Sequence, residues 1–269
     1  MAEYKDDFVE INGVKLHYYR TGSGDRTLIL LHGASDNGMC WKPTADLLAE
    51  EYDVIMPDAQ GHGLSDRLGP GFKFSDLAHH VAGLVEIFGI KDPVLMGHSM
   101  GGSCTTNVAA LYPDLPKAII LEDPGWMTPG EAQPSRREGA SEMRRRAEQF
   151  KNMTVEELIE QCHRESPLWS YDELVPWAES KKQFDTNLFS SFNINELPWS
   201  EMVSKIQCPA LLFTAETGIV SDDTVARAME LWTADQPLSH VKVMGVGHNI
   251  RRENFKIFYD SVQQFIKGL

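Results

Sequence analysis

The chain has 269 residues, enough for one large α/β domain with an insertion or for two small domains. With 25 Lys+Arg against 39 Asp+Glu it carries a formal charge of −14, which repels phosphate backbones and anionic membranes. Nucleic-acid and lipid-surface partners are therefore not expected. The opening Met-Ala-Glu-Tyr-Lys-Asp-Asp carries charge where a signal peptide needs an apolar core, and no apolar run approaches bilayer length. Four scattered cysteines (Cys40, Cys104, Cys162, Cys208) suit neither a disulfide framework nor a zinc site, so free thiols in a reducing cytoplasm are expected. Oligomeric state is not readable.

Phe8-Val9-Glu10-Ile11, Asn12-Gly13 and Val14-Lys15-Leu16-His17-Tyr18-Tyr19 read as a β-hairpin closed by an Asn-Gly turn. Short apolar runs follow at 27–31, 53–56, 93–96, 118–121, 210–214 and 241–244, the pattern of strands buried on both faces. Helical periodicity separates most of them. Leu77, Val81, Leu84, Val85 and Phe88 recur behind a Ser75-Asp76 cap, and Phe255, Phe258, Val262, Phe265 and Ile266 recur near the C-terminus. Alternation of this kind predicts a mostly parallel sheet with right-handed crossovers and helices on both faces.

The alternation breaks between 125 and 200. That stretch has helix starts at Thr154-Val155-Glu156-Glu157 and Ser170-Tyr171-Asp172-Glu173, both capping-box patterns, but no strand-like run. It reads as a helical cap at 125–200 inserted into a core domain formed by 1–124 and 201–269. Its aromatics (Trp126, Trp169, Trp177, Phe184, Phe189, Phe192, Trp199) are expected mostly to pack the cap on the body. Trp126, Trp169 and Trp177 are the candidates for lining a substrate pocket, because pockets form where an insertion meets a sheet.

Gly97-His98-Ser99-Met100-Gly101 follows the run at 93–96 and precedes a helix-compatible stretch with small residues at Gly102, Ser103, Ala109 and Ala110. This is a Gly-x-Ser-x-Gly nucleophile elbow in its strand–turn–helix setting. The serine needs a strained backbone, small flanks admit the neighbouring strand and helix, and the helix N-terminus favours developing negative charge. Ser99 is the predicted nucleophile, with His98 directed elsewhere.

With Leu31-His32-Gly33-Ala34 and Asp58-Ala59-Gln60-Gly61-His62-Gly63-Leu64-Ser65-Asp66, the chain resembles the α/β-hydrolase superfamily over nearly its whole length. The resemblance implies an eight-stranded, mostly parallel sheet and an oxyanion hole from the backbone N–H groups of Ala34 and Met100. His32, His62 and Ser65 are expected to shape these loops without reacting. Gly245-Val246-Gly247-His248, between the last apolar run and the final helix, makes His248 the base in the chain order of this fold. His240 is expected to precede that strand.

In the superfamily the acid usually follows the strand at 210–214, but the slot reads Gly218. Some relatives, including haloalkane-dehalogenase-like enzymes, carry it one strand earlier, where this chain has Glu122-Asp123-Pro124. Asp123 is the first choice, with Glu122, Glu216, Asp222 and Asp223 as alternatives. Successive strand residues point oppositely, so only one of Glu122 and Asp123 can face the histidine. The resulting expectation is a cofactor-free, metal-free serine hydrolase of a small-molecule carboxylic ester or lactone. Carbon–carbon bond hydrolysis of a diketone-like compound is the alternative, and a small-molecule receptor on a hydrolase fold is a rival of another class. Dehalogenase and epoxide-hydrolase readings fail because those relatives use Asp where this chain has Ser99.

Overall fold

The strands are β1 (Lys5–Ile11), β2 (Val14–Thr21), β3 (Thr27–Leu31), β4 (Asp53–Pro57), β5 (Val94–His98), β6 (Ala118–Glu122), β7 (Ala210–Thr217) and β8 (Leu238–Gly247). They form one sheet in the order β1-β2-β4-β3-β5-β6-β7-β8. The hairpin of β1 and β2 turns on Asn12 and Gly13, at φ of 54° and 77°, and β2 joins β4 antiparallel. All pairings from β4 to β8 are parallel. This is a computed structural model, and it describes residues 3–126, 136–191 and 196–269.

The helices of the first half are α1 (Lys42–Leu48), α2 (Phe74–Ile87) and α3 (Met100–Leu111). Between β6 and β7 come α4 (Arg136–Asn152), α5 (Val155–Glu165), α6 (Tyr171–Gln183), α7 (Leu188–Ser191) and α8 (Trp199–Val203). The chain closes with α9 (Asp222–Leu231), α10 (Ile250–Glu253) and α11 (Phe255–Lys267). No strand occurs among the described residues between β6 and β7, and no helix among them is long and apolar enough to cross a membrane.

The period-two geometry of a strand divides the core in two. Ile29, Leu31, Leu95, Ile119, Leu121, Ala210 and Leu212 pack on one face with α2, α3 and α8. Leu28, Leu30, Val94, Met96, Ala118, Ile120, Leu211 and Phe213 pack on the other with Trp41 and the Phe258–Val262–Ile266 stripe of α11. Both faces are covered, so the strands read as unbroken apolar runs rather than alternating ones.

Several details differ from the sequence reading. The last strand starts at Leu238, so His240 lies inside it, opposite Leu212, with its Nε2 2.8 Å from Thr214 Oγ1. Ladder pairing carries β5 and β7 past their apolar runs, which periodicity alone does not register. Helix α2 starts at Phe74 with Lys73 as its N-cap. Ser75 and Asp76 therefore sit in the first turn, and the Asp76 carboxylate accepts from the Lys73 amide at 2.8 Å. Thr154 caps α5 with the reciprocal Glu157 bond at 2.7 Å, as its pattern predicts. Ser170 also starts its helix, but its side chain makes no cap bond, and Glu173 is drawn away to a buried arginine. Phe192 lies outside the described residues.

Candidate active site

Adjacent strands β5, β6, β7 and β8 all end on the same edge of the sheet, which brings four loops together. Ser99 follows β5 directly at φ 52° and ψ −112°, a region that costs a non-glycine residue about 1–3 kcal/mol. Its amide donates to the Glu122 carbonyl at 3.0 Å, and its carbonyl accepts from Ser103 and Gly125, each at 3.0 Å. The flanking glycines answer to close approach. A Cβ on Gly97 would lie 2.2 Å from the Gly101 carbonyl oxygen, and one on Gly101 would lie 2.0 Å from that of Leu31. No side chain fits at either position.

Asp123, fully buried after β6, lies with Oδ2 2.5 Å from His248 Nδ1. An ionised carboxylate only accepts, so the proton sits on Nδ1 and Nε2 is left basic. The same carboxylate accepts from the amides of Ile219 and Val220 at 2.8 and 3.0 Å. Gly218 stands where the superfamily more often has its acid, and a Cβ there would fall 2.6 Å from Asp123 Oδ2. The absent acid and the present one thus occupy the same space. Glu122 points to the opposite face, where it accepts from Arg251 Nη1 at 2.9 Å and from the Arg251 amide at 2.8 Å. Burial lifts its carboxyl above the usual range despite that partner. Glu216 is exposed and accepts from the Gly245 amide, while Asp222 pairs with Lys242.

His98 lies beside His248 with its ring tilted by 39°, centroids 4.7 Å apart, and donates from Nε2 to the His248 carbonyl at 3.0 Å. Burial, then the neighbouring His248, pushes its imidazole well below its ordinary range. It braces the loop from beneath. Met100 opens the twelve-residue α3, so its amide is one of the helix's unpaired N-terminal donors. Ala34 lies just beyond β3, next to Gly33, whose Cβ would sit 2.8 Å from His98 Nδ1 and 3.6 Å from Ser99 Cβ.

The other loop residues are occupied by backbone. His32 accepts from the Ala59 amide at 3.0 Å and donates to the Gly33 carbonyl at 2.8 Å. His62 Nε2 accepts from the Ser35 amide at 3.2 Å. Ser65 donates to the Asp58 carbonyl at 2.6 Å and accepts from the His17 amide. Burial, then the neighbouring His32, lowers the His62 imidazole to about 3, so it stays neutral.

The three tryptophans have packing partners. Trp126 stacks on Trp199 at 5.3 Å and donates its indole N–H to Thr106 Oγ1. Trp169 and Trp177 meet edge to face at 6.3 Å. Arg252 lies 4.5 Å over the Trp169 ring and Lys181 lies 4.9 Å over that of Trp177. Sequence reasoning passed over these two cations. Arg252 donates to Glu173 and Asp36, and Lys181 donates to Asp36 and to Ser35, all four charged side chains being buried. The position of Arg252, four residues after His248, was the available signal. All four cysteines are buried free thiols, and burial pushes Cys104 and Cys208 up to about 12. Among the described residues, no group of three or more His, Cys, Asp or Glu side chains could hold a metal ion.

The model of the α/β hydrolase fold family matches residues 26–250, and the chain belongs to that family. It is similar to a 2-(acetamidomethylene)succinate hydrolase of Mesorhizobium japonicum, 32% identical over 43% of this chain. That match spans 41% of the relative's length. It is also similar to an N-formylmaleamate deformylase of Pseudomonas putida, 25% identical over 96% of this chain and 95% of that one. The crystal structure of an E-2-(acetamidomethylene)succinate hydrolase superposes with a TM-score of 0.83, covering 98% of this chain and all of that one at 22% identity.

Proposed function

We propose that the protein is a serine hydrolase in which Ser99 attacks a carbonyl, His248 moves the proton and Asp123 orients His248. The observation that carries this reading is the 2.5 Å contact of His248 Nδ1 with a buried Asp123, on the loop edge headed by the strained Ser99. His248 Nε2 takes the Ser99 proton as the Ser99 Oγ–carbon bond forms. The negative oxygen rests on the Ala34 and Met100 amides, with α3 directing its positive end at it. Collapse of the tetrahedral species returns the proton from His248 to the leaving group and leaves an acyl-enzyme. Water, deprotonated by His248, then releases the acid and regenerates Ser99.

The names of these two relatives favour the alternative over a simple ester or lactone: a bond whose leaving group departs poorly unless protonated. That demand is shared by carbon–carbon bond hydrolysis of a diketone-like compound and by scission of an N-acyl bond. Both relatives take their names from small N-acyl compounds, an acetamido succinate and a formyl maleamate. We therefore place carbon–carbon or N-acyl hydrolysis of a small carboxylate-bearing compound ahead of ester hydrolysis. A receptor role is separated by sustained turnover.

The test is a panel of N-acyl enamides, diketones, lactones and aryl esters, run beside Ser99→Ala and Asp123→Asn. Turnover is expected to fall on the order of 10⁶-fold and 10⁴-fold respectively. A reactive phosphonate should add its phosphorus to Ser99, detected by mass spectrometry of the peptide. Wild-type turnover in Ser99→Ala would end this reading.

A further inference from the structure

The loop that carries Ala34 is held in an unfavourable shape by a helix of the cap. Ser35 sits at φ 63°, in a four-residue turn closed by the Asp36 amide on the Gly33 carbonyl at 3.2 Å. A turn position with positive φ ordinarily goes to glycine or asparagine. Ser35 therefore needs outside restraint, and it has it on every polar group. Its amide donates to His62 Nε2, while its carbonyl and hydroxyl oxygens both accept from Lys181 Nζ, at 2.8 and 3.1 Å. The next residue, Asp36, accepts from the same ammonium at 2.8 Å and from Arg252 Nη2 at 3.0 Å. Asn37 donates to Gln183 Oε1 at 2.8 Å. Three consecutive loop residues are thus gripped by α6, two of them through one buried lysine.

We propose that Lys181 is a positioning residue that sets the direction of the Ala34 amide by clamping Ser35 and Asp36 to the cap. This rests on the reading of Ser99 and the oxyanion amides given above. Lysine suits the position because its ammonium has three donors, met at the shortest range by two oxygens of Ser35 and one of Asp36, with Ser180 Oγ farther off at 3.3 Å. Asp36 bridges Lys181 to Arg252, which also holds Glu173 of α6 at 3.0 Å, so two cations and two anions close a neutral buried network. The network joins three separate segments: the loop after β3, the helix after His248 and the cap. Removing one lysine leaves Asp36 still paired with Arg252, so the loop should survive but lose its direction.

A trifluoromethyl ketone forms a tetrahedral adduct on the nucleophilic serine, with its oxyanion where the amides point. The matching methyl ketone reports only ground-state binding. In Lys181→Met, affinity for the trifluoromethyl ketone and kcat should fall together, on the order of 30-fold. That is less than the 10²–10³ that deletion of an oxyanion donor costs, because the amide is misaimed rather than removed. Methyl ketone affinity and KM should stay within about twofold. Lys181→Gln keeps a donor group, uncharged and shorter, and should show a smaller loss of the same kind, which keeps the test open should Lys181→Met not fold. Leu158→Ala loosens the cap core away from this loop and should leave the ratio of the two affinities unchanged. An unchanged ratio in both lysine variants, or an equal fall in Leu158→Ala, overturns the proposal. Failure of the wild-type protein to form any adduct is a separate result: it removes the reading of Ser99 and the inference with it.

Discussion

The sheet body and the helices α4–α6 are held together by different physics. In the body, apolar strands alternate between two large cores, and the site is shaped by where a Cβ cannot go: Gly97, Gly101 and Gly218 each face an atom closer than 3 Å to a missing side chain. Around α4–α6 the apolar clusters are small, Phe150–Leu158–Ala178 and Cys162–Trp169–Leu174. Leu188 and Trp199 join the first large core, while α6 meets the loop after β3 and the helix after His248 through the buried charges Lys181, Asp36, Arg252 and Glu173. Buried ion pairs add little net stability against an apolar alternative, but breaking one partner is costly. The large cores therefore carry most of the stability, and the α6 charges add register.

That contrast can be broken in three places. Phe258→Ala opens a hole in the second core and should cost about 4 kcal/mol of global stability, read as a lower denaturation midpoint with unchanged slope. The equally buried Leu158 of α5 should cost about 2 kcal/mol on truncation, with amide exchange rising within 136–183 and not in the sheet. A uniform rise in exchange would erase the distinction. Gly218→Ala comes next, since its Cβ would press on the Asp123 carboxylate at 2.6 Å. It should lower kcat about 100-fold by misplacing the acid, with little change in melting temperature.

The last test is pH. His62 stays neutral in the fold with its imidazole lowered to about 3, whereas it protonates near 6.5 once unfolded. The unfolded chain therefore binds more protons between those values, and stability falls as pH drops through that window, by about 2 kcal/mol from this residue at pH 5. His32 and His98, also lowered by burial, act in the same direction. Asp36 behaves differently: burial works to raise its carboxyl, but Arg252 and Lys181 hold it well below the usual range. Its contribution is present above about 4 and is lost only as pH falls through that depressed value. Between pH 8 and 5 thermal melts should shift downward while exchange at Ser35 and Asp36 in the folded protein stays slow.

What could be read from the sequence tracks this same division. The strands, the Asn12-Gly13 turn and the elbow around Ser99 depend on local backbone requirements, and local requirements appear as local motifs. Strand ends were short by one to three residues because ladder pairing does not stop where hydrophobicity does. The pattern Ser170-Tyr171-Asp172-Glu173 located a helix start but not its bonding, since Arg252 outcompetes the cap for Glu173. Asp36, Glu173, Lys181 and Arg252 each read as an ordinary surface charge. Nothing in the spacing of four residues spread over more than 200 positions states that they meet. The choice between Glu122 and Asp123 needed the alternation of β6, which sends Glu122 to the Arg251 side.

The overlap of Gly218 with the Asp123 carboxylate also constrains how such a site can change over generations. An aspartate introduced at 218 while Asp123 remains would set two carboxylates in the volume of one, and loss of Asp123 alone would leave His248 without its carboxylate partner. Neither single replacement lies on a smooth route to the other arrangement. Moving the acid from one position to the other therefore calls for a paired exchange.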